Sequence, residues 1–332
     1  MTNFGTVTGE EGVYVDTESF SATITNAGTI SAIGGGIAVS LNGAKNLLVV
    51  DPGAVFGGSV IARASGAAST LELAGGSGGT IFGIGTEFQN FNTIAVAAGA
   101  QWQFDGANTI GAGAMLSVAG SASGSGTMVL QGATADVSAG QVATTLGFAF
   151  ADAPHDRLTV AGSGGQFANA LTDLRGTDRI EVAGGIVFDN ATLTGSTLDL
   201  TSGGATVFAF HDVTLATGVP AKFLLGTDTI SKIAYVEVAC FAAGTHVETV
   251  RGPVAVEALR PGDRVRLMSG ATAAVTWLGH RCVDCRRHPN PLRSGRFVYP
   301  LVPSRPVYRA VRCGCRPTTP CSLTGCSSPC AT

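Results

Sequence analysis

The chain has 332 residues, of which 47 are glycine, 13% are charged and 45% are hydrophobic. This length allows two domains, each with a core of its own. Abundant glycine and the lack of any long apolar run predict short strands and tight turns, and they exclude helical bundles and membrane spans. The N-terminus lacks the positive flank and apolar stretch of a cleavable signal peptide, so export would need another route or an upstream segment.

The net charge and the cysteine content of the chain both change near residue 240. Residues 1–239 hold 7 Lys/Arg and 19 Asp/Glu, whereas residues 240–332 hold 13 and 4, which gives net charges of −12 and +9. The arginines of the basic part are dispersed among Pro and Cys without interleaved aromatics, so no nucleic-acid partner is expected. All 8 cysteines lie at or after Cys240. The first part must therefore be stable without disulfides.

A short apolar run ending in Gly recurs along the first two thirds of the chain, with glycines 24, 21, 20, 22, 22 and 19 residues apart. The runs are Leu71–Gly75, Ala95–Gly99, Leu116–Gly120, Asp136–Gly140, Leu158–Gly162, Ile180–Gly184 and Leu198–Gly203. Each run alternates like a strand with one buried face, and Gly allows the sharp corner that follows. This period predicts an all-β chain whose residues 1–235 form a right-handed parallel β-solenoid.

Earlier segments continue the period toward the N-terminus, as in Asn26-Ala-Gly28-Thr29-Ile30. The region resembles the passenger regions of autotransporters, bacterial surface proteins built as β-helices. That resemblance implies adhesion or scaffolding, with a cell-surface or carbohydrate ligand. A β-sandwich also has short strands and Gly turns, but its strands recur about every 8 to 12 residues without a repeated terminal motif.

The solenoid region has one notable cluster of titratable residues, Asp152, His155 and Asp156. We interpret it as a polar loop between rungs, with a metal or catalytic site as the alternative. A carbohydrate-active enzyme would need carboxylates clustered on one face of adjacent rungs, and the spacing shows no such cluster. The closest stretch to a calcium-binding repeat, Gly75–Ile81, has Gly79 and Thr80 in place of the coordinating carboxylate. No cofactor or bound metal is therefore expected.

A second pattern begins at the first cysteine of the chain. Its elements are Cys240-Phe241-x-x-Gly244-Thr245, Thr249-x-x-Gly252 and Glu257-x-Leu259-x-x-Gly262-Asp263-x-Val265. This ordered set resembles the opening block of the Hedgehog/intein (Hint) domains. The residues that follow it resemble the bacterial branch of that family, so the resemblance covers about Ala239 to Pro300. It implies a partial Hint-type β fold over residues 236–300. Asp263 also has a purely structural interpretation, as the cap of the Pro261–Asp263 turn.

The resemblance implies self-processing, in which the substrate is the chain's own peptide bond. It assigns Cys240 and Thr245 to the catalytic site and Ala239 to the acyl-donor position. In this family the cysteine attacks the preceding carbonyl and an N-to-S acyl shift gives a thioester. A thiol reacts only as the thiolate, and an amide carbonyl reacts poorly until its resonance is disturbed.

The family also needs a Thr-x-x-His element to polarise the scissile amide and protonate its nitrogen, and this chain lacks it. The nearest sequence, Thr276-Trp-Leu-Gly-His280, has one residue too many. We expect residues 301–332 to be a disordered Cys/Pro-rich tail, read out of frame or degenerate. The alternatives are tail disulfides and a zinc site built from Cys282, Cys285, His288, Cys313 and Cys315.

The sequence therefore predicts a secreted or surface β-solenoid fused to a Hint module that would cleave at Ala239–Cys240, with processing impaired by the missing element. The alternative is a non-enzymatic adhesin or scaffold that carries a degenerate Hint remnant.

Overall fold

The structure is a computed structural model. It describes residues 1–16, 21–62, 68–153, 155–162, 165–217, 219, 221–228, 230–238, 246–266 and 272–275. The chain divides into two units, Met1–Ala239 and Cys240–Thr332. The described residues form strands and two 3-10 turns, Ile33–Gly35 and Val256–Ala258. None of them belongs to a helix long and apolar enough to cross a bilayer.

Thirty strands are described in the first unit. They are β1 Thr2–Asn3, β2 Thr6–Gly9, β3 Val13–Val15, β4 Ser21–Asn26, β5 Thr29–Ala32, β6 Ile37–Leu41, β7 Lys45–Val50, β8 Val55–Gly57, β9 Ser59–Ala62, β10 Thr70–Leu73, β11 Gly76–Ile81, β12 Phe88–Gln89, β13 Thr93–Val96, β14 Ala100–Phe104, β15 Ala107–Ile110, β16 Met115–Val118, β17 Ser121–Ser123, β18 Thr127–Leu130, β19 Thr134–Ser138, β20 Gly147–Phe150, β21 Arg157–Ala161, β22 Gln166–Phe167, β23 Leu171–Leu174, β24 Arg179–Ala183, β25 Asn190–Thr194, β26 Thr197–Ser202, β27 Ala205–Phe210, β28 Val213–Leu215, β29 Phe223–Thr227 and β30 Ala234–Val238.

The strands stack into parallel sheets with one strand per rung. The longest sheet has the order β1-β4-β7-β10-β13-β16-β19-β21-β24-β30-β29, and its first nine strands are parallel neighbours. Shorter parallel sheets form the other faces, in the orders β2-β5-β8, β3-β6-β9-β12, β11-β14-β17 and β15-β18-β20-β23-β28. The predicted β-solenoid is confirmed, and six of the seven Gly-terminated runs contribute strands to the longest sheet.

The alternation seen in the sequence becomes columns of buried side chains. One column of the longest sheet joins residues of successive strands in register, namely Ile24, Leu48, Leu71, Ile94, Leu116, Ala135, Leu158 and Ile180. All of them are at most 2% exposed. Because each rung contacts only its neighbours, burial in such columns stabilises the stack rung by rung.

Polar residues occupy a second kind of column, at the corner before the longest sheet. The backbone N–H of Ser69 donates to Oδ1 of Asn92 at 3.0 Å, one rung further on. The N–H of Ala133 donates in the same way to Oδ1 of Asp156 at 3.0 Å. The side chains of Asn92 and Asp156 therefore each accept a hydrogen bond from a corner N–H group that has no partner in the described part of the β-sheet.

The seventh run does not continue the stack, and its assignment to a rung was wrong. Leu198 and Leu200 are fully buried, but β26, which carries them, pairs antiparallel with β25 and with β27. The strand β27 also pairs parallel with β22. Phe210 of β27 packs against Phe167 of β22, with the ring centroids 6.1 Å apart. An antiparallel strand with one buried face has the same alternation as a rung strand, so the sequence pattern alone does not separate the two.

In the second unit the structure describes four strands, β31 His246–Thr249, β32 Gly252–Ala255, β33 Arg264–Arg266 and β34 Thr272–Ala274. They form one antiparallel sheet in the order β32-β31-β33-β34.

Candidate functional site

The strand β30 brings the chain to the predicted cleavage point. It lies between β24 and β29 and pairs antiparallel with both. Its residues Ala234, Val236 and Val238 are at most 9% exposed. The final parallel strand of the solenoid is thus covered by a hairpin, and the fold of the first unit is defined up to the residue before Ala239.

A charged cluster on the outer side of this hairpin joins it to the last parallel rung. Nε of Arg179 donates to Oε1 of Glu237 at 2.8 Å, and its Nη2 lies 2.6 Å from the same oxygen. The guanidinium also lies 3.8 Å from the ring centroid of Tyr235, a cation–π distance. Its Nη1 is 3.6 Å from Glu181 and 3.7 Å from Asp228. We refer to these five residues as the Arg179 cluster.

The acidic members of the Arg179 cluster differ in environment. The side chain of Glu181 is 2% exposed, and Nε of Arg157 approaches it at 3.5 Å from the rung before. Asp228 lies in the turn of the hairpin, where the N–H groups of Ser231 and Ile230 donate to its Oδ1. These two hydrogen bonds hold the pKa of Asp228 below its ordinary value. The cluster therefore fixes both the strand β30 and the turn that precedes it.

We expect Arg179→Met to lower the free energy of unfolding of the first unit by about 2 to 3 kcal/mol. The change removes the cation that pairs with Glu237 and lies near Asp228, and also one of the two cations that approach the buried Glu181 carboxylate. Arg157→Met is the matched control, since Arg157 is in register with Arg179 on the adjacent strand but is 43% exposed and, among the described residues, forms an ion pair with Glu181 only. The control should change stability by about 0.5 kcal/mol. Urea unfolding of both variants measures the difference, and equal losses would contradict this role for the cluster.

On the other side of the cleavage point, the Thr-x-x-Gly pattern forms the hairpin between β31 and β32. Thr249 is 1% exposed, and its hydroxyl donates to the carbonyl of Gly252 at 2.7 Å and accepts from the N–H of Arg251 at 3.1 Å. Gly252 has a φ of 106°, which L side chains rarely adopt. Both motif residues thus have a turn-forming role. His246, at the start of β31, is exposed and is in register with Ala255.

The Gly-Asp pair of the third motif element also has a structural role. Oδ2 of Asp263 accepts from the N–H of Arg260 at 2.9 Å, across the Pro261–Gly262 turn. The other carboxylate oxygen of Asp263 pairs with Nη2 of Arg251 at 2.5 Å. The interpretation of Asp263 as a turn cap is confirmed, and the ion pair joins this turn to the Thr249–Gly252 turn.

The predicted site residues Ala239, Cys240 and Thr245 lie outside the described residues. So do Thr276, His280 and the residues of the zinc hypothesis, Cys282, Cys285, His288, Cys313 and Cys315. Within the described ranges, no three His, Cys, Asp or Glu side chains lie close enough together to hold a metal ion.

The Asp152–Asp156 segment is more than the polar loop that the sequence predicts. Oδ1 of Asp152 pairs with Arg175 at 3.3 Å. Asp156, in contrast, is fully buried, and its Oδ1 accepts from the N–H groups of Gly132 and Ala133. Burial raises the pKa of Asp156 to about 7, against the opposing effects of these hydrogen bonds and of the Arg175 charge. Its place directly before a rung strand, like that of Asn92, is the sequence signal that identifies this corner role.

The pattern that begins at Cys240 lies within a match to a known protein family. Residues 239–296 match a family model described as Hint domain. No curated protein sequence matches the chain. The match begins one residue after β30, and the stacked rungs precede it. The chain therefore carries a Hint domain preceded by an N-terminal β-solenoid region.

Proposed function

We propose that the Hint domain is a self-processing module that acts on the bond between Ala239 and Cys240. The observation that carries the proposal is where the family match begins. It starts at Ala239, next to the first cysteine of the chain, and β30 completes the solenoid one residue earlier. A break at this bond would release the solenoid with all of its described strands.

The first step of the proposed chemistry, the N-to-S acyl shift, needs no second reactant. The Cys240 thiolate attacks the carbonyl carbon of Ala239, a C–S bond forms and the C–N bond breaks. The amide nitrogen takes up a proton and becomes the free amine of Cys240, while Ala239 becomes the acyl group of a thioester. Water or another nucleophile then attacks the thioester, which frees the sulfur and leaves Ala239 as the end of the solenoid. The turns held by Thr249 and Asp263 support the strand that follows the nucleophile.

We propose further that processing is slow in this chain. The Thr-x-x-His element would protonate the leaving nitrogen, and the nearest sequence, Thr276–His280, has the wrong spacing for it. Without that acid the tetrahedral intermediate returns to the amide more often than it proceeds to the thioester, so general acid catalysis worth about 100-fold or more is lost.

The test is incubation of the purified full chain with and without dithiothreitol or hydroxylamine, followed by intact-mass analysis. We expect little fragment in buffer alone and slow, nucleophile-dependent release of residues 1–239. Cys240→Ala should abolish the release. Cys282→Ala, which also removes one thiol, should release the fragment at the wild-type rate.

Release of the same fragment from Cys240→Ala would overturn the proposed mechanism. If no fragment forms over long incubation, the second candidate stands, a non-enzymatic adhesin or scaffold with a Hint remnant. The missing Thr-x-x-His element is the observation that favours this candidate.

We also propose that the solenoid acts at the cell surface or after secretion. Its support is composition, since residues 1–239 contain no cysteine and the fold therefore needs no disulfide to form after export. Fractionation of expressing cells tests this, and a chain found in the cytosol alone would contradict it.

A further inference from the structure

A recess of about 340 Å³ lies at one corner of the solenoid, between successive rungs. Its lining includes Phe88, Asn90, Phe91, Asn92, Thr109 and Gln131, and we refer to it as the corner groove. These residues come from three consecutive rungs. The volume is at the low end of ordinary ligand pockets, so it suits a ligand the size of one or two rings.

The groove exists because neighbouring corners differ in size. Before β13 the chain makes an extra turn, in which the N–H groups of Thr86, Glu87 and Phe88 all donate to the carbonyl of Gly83. In the next rung the corresponding corner is Gly111 and Ala112, which have almost no side chain and also line the recess. A large corner next to a small one leaves the open space between them.

The part of the corner groove formed by Ile84 and Gly85 is hydrogen-bonded to the next rung, which contains Asn108 and Thr109. Oδ1 of the fully buried Asn108 accepts from the N–H of Ile84 at 3.2 Å. The N–H of Thr109 in turn donates to the carbonyl of Ile84 at 2.8 Å. A Cβ on Gly85, whose φ is 88°, would meet the carbonyl oxygen of Thr109 at 2.8 Å, so the two segments are in close contact. The recess is thus preformed, and a ligand would not have to order it.

The groove presents polar groups without charge. None of the described residues that line it is ionisable. Asn90 and Gln131 are exposed, and within the described part of the chain their side-chain amides have no hydrogen-bond partner. Oδ1 of Asn92 accepts from Ser69, which leaves its amino group to donate outward. Such groups both donate to and accept from hydroxyls, while a charged ligand would be partly desolvated without a counter-charge.

From this combination of uncharged amides and a hydroxyl, we propose that the corner groove binds a neutral saccharide. The amides and the Thr109 hydroxyl bond to sugar hydroxyls. Phe88 and Phe91 are 8% and 6% exposed, so they offer the ligand only a small apolar area. A peptide strand is disfavoured as ligand because the strands beside the groove already have neighbours on both edges, as β13 has β10 and β16. This site is independent of the proposed cleavage at Ala239.

The test is titration of the full chain with maltotriose, cellotriose and N,N′-diacetylchitobiose, monitored by saturation-transfer NMR. We expect at least one of them to bind with a Kd of about 1 mM. The double variant Asn90→Gly with Gln131→Ala should weaken binding about 10-fold, since it removes two amides. Glycine is the choice at position 90 because Asn90 has a φ of 64°, which glycine adopts without strain.

Gln103→Ala is the matched control, an exposed amide on β14 outside the groove, and it should bind like the wild type. Circular dichroism melting of each variant checks that the solenoid stays folded. Three outcomes would overturn the proposal: no binding of any neutral probe, equal binding by the double variant, or tighter binding of the acidic trigalacturonate.

Discussion

The free energy of unfolding of Asp156→Asn, taken relative to that of the wild type, should rise by about 4 kcal/mol between pH 4 and pH 8. In the folded chain the pKa of Asp156 is about 7, above its ordinary value of 3.8. A carboxyl whose pKa is raised on folding stabilises the folded state fully below the unfolded pKa. That contribution is lost as the pH rises from about 4 through about 7, because the buried group must then ionise.

Asparagine is a suitable replacement because the same corner already uses it. Asn92 accepts a backbone N–H of the preceding rung with its Oδ1, as Asp156 does with the N–H of Ala133. The amide therefore keeps both backbone hydrogen bonds to Gly132 and Ala133 and removes the ionisation. Oδ2 of Asp156 is buried and has no hydrogen-bond partner among the described residues, so the amino group that replaces it should cost about 1 to 2 kcal/mol at every pH.

Urea unfolding at a series of pH values from 4 to 8 gives the two stability curves. The difference between them isolates Asp156, since all other ionisable groups are common to both proteins. Parallel curves would show that the buried carboxyl does not titrate in this range and would contradict the prediction.

Gly120→Ala should lower the free energy of unfolding by about 3 kcal/mol. An added Cβ at Gly120 would overlap the carbonyl oxygen of Ala97 and lie 2.5 Å from that of Ala100, both in the preceding rung. Backbone atoms of a stacked rung do not move independently, so relief would require opening the stack. Thermal or urea unfolding of the variant measures the loss.

Gly140→Ala is the matched control. Gly140 ends the next predicted run in the same way, but a Cβ there would meet nothing within 4 Å. Its substitution should leave stability unchanged or raise it by about 0.5 kcal/mol, because alanine restricts the unfolded chain. An equal loss of stability at positions 140 and 120 would contradict this explanation. It would show that glycine is required by the backbone conformation of the corner and not by close contact with the preceding rung.

The rung strands could be predicted from the sequence because burial in a solenoid is local and periodic. Six runs have their alternation and their final glycine at nearly constant spacing, and each pairs in register with the next. The run at Leu198 has the same alternation but a different partner. Its strand pairs antiparallel with the next one because the Gly203–Gly204 turn connects the two. A search for repeats of constant length does not detect such a turn.

The residues with the strongest electrostatic roles could not be predicted in this way. Arg179 and Glu237 are 58 residues apart and meet only because a hairpin covers the last rung. The burial of Asp156 depends on a corner 23 residues earlier. For the Hint domain, the sequence identified the family and the turn role of Asp263. The roles of Cys240, Thr245 and Ala239 remain predictions that mass spectrometry can test.

The hairpin of β29 and β30 limits where further repeats can be added to the solenoid. Because β29 and β30 close the stack after β24, repeats added beyond that strand would displace the closure. Duplication of an internal repeat would leave both extremities intact. Each duplicated repeat would lengthen the stack of strands by about 4.8 Å, one interstrand spacing. The solenoid of the first unit can thus be lengthened in fixed increments, each set by the hydrogen-bonding distance between neighbouring strands.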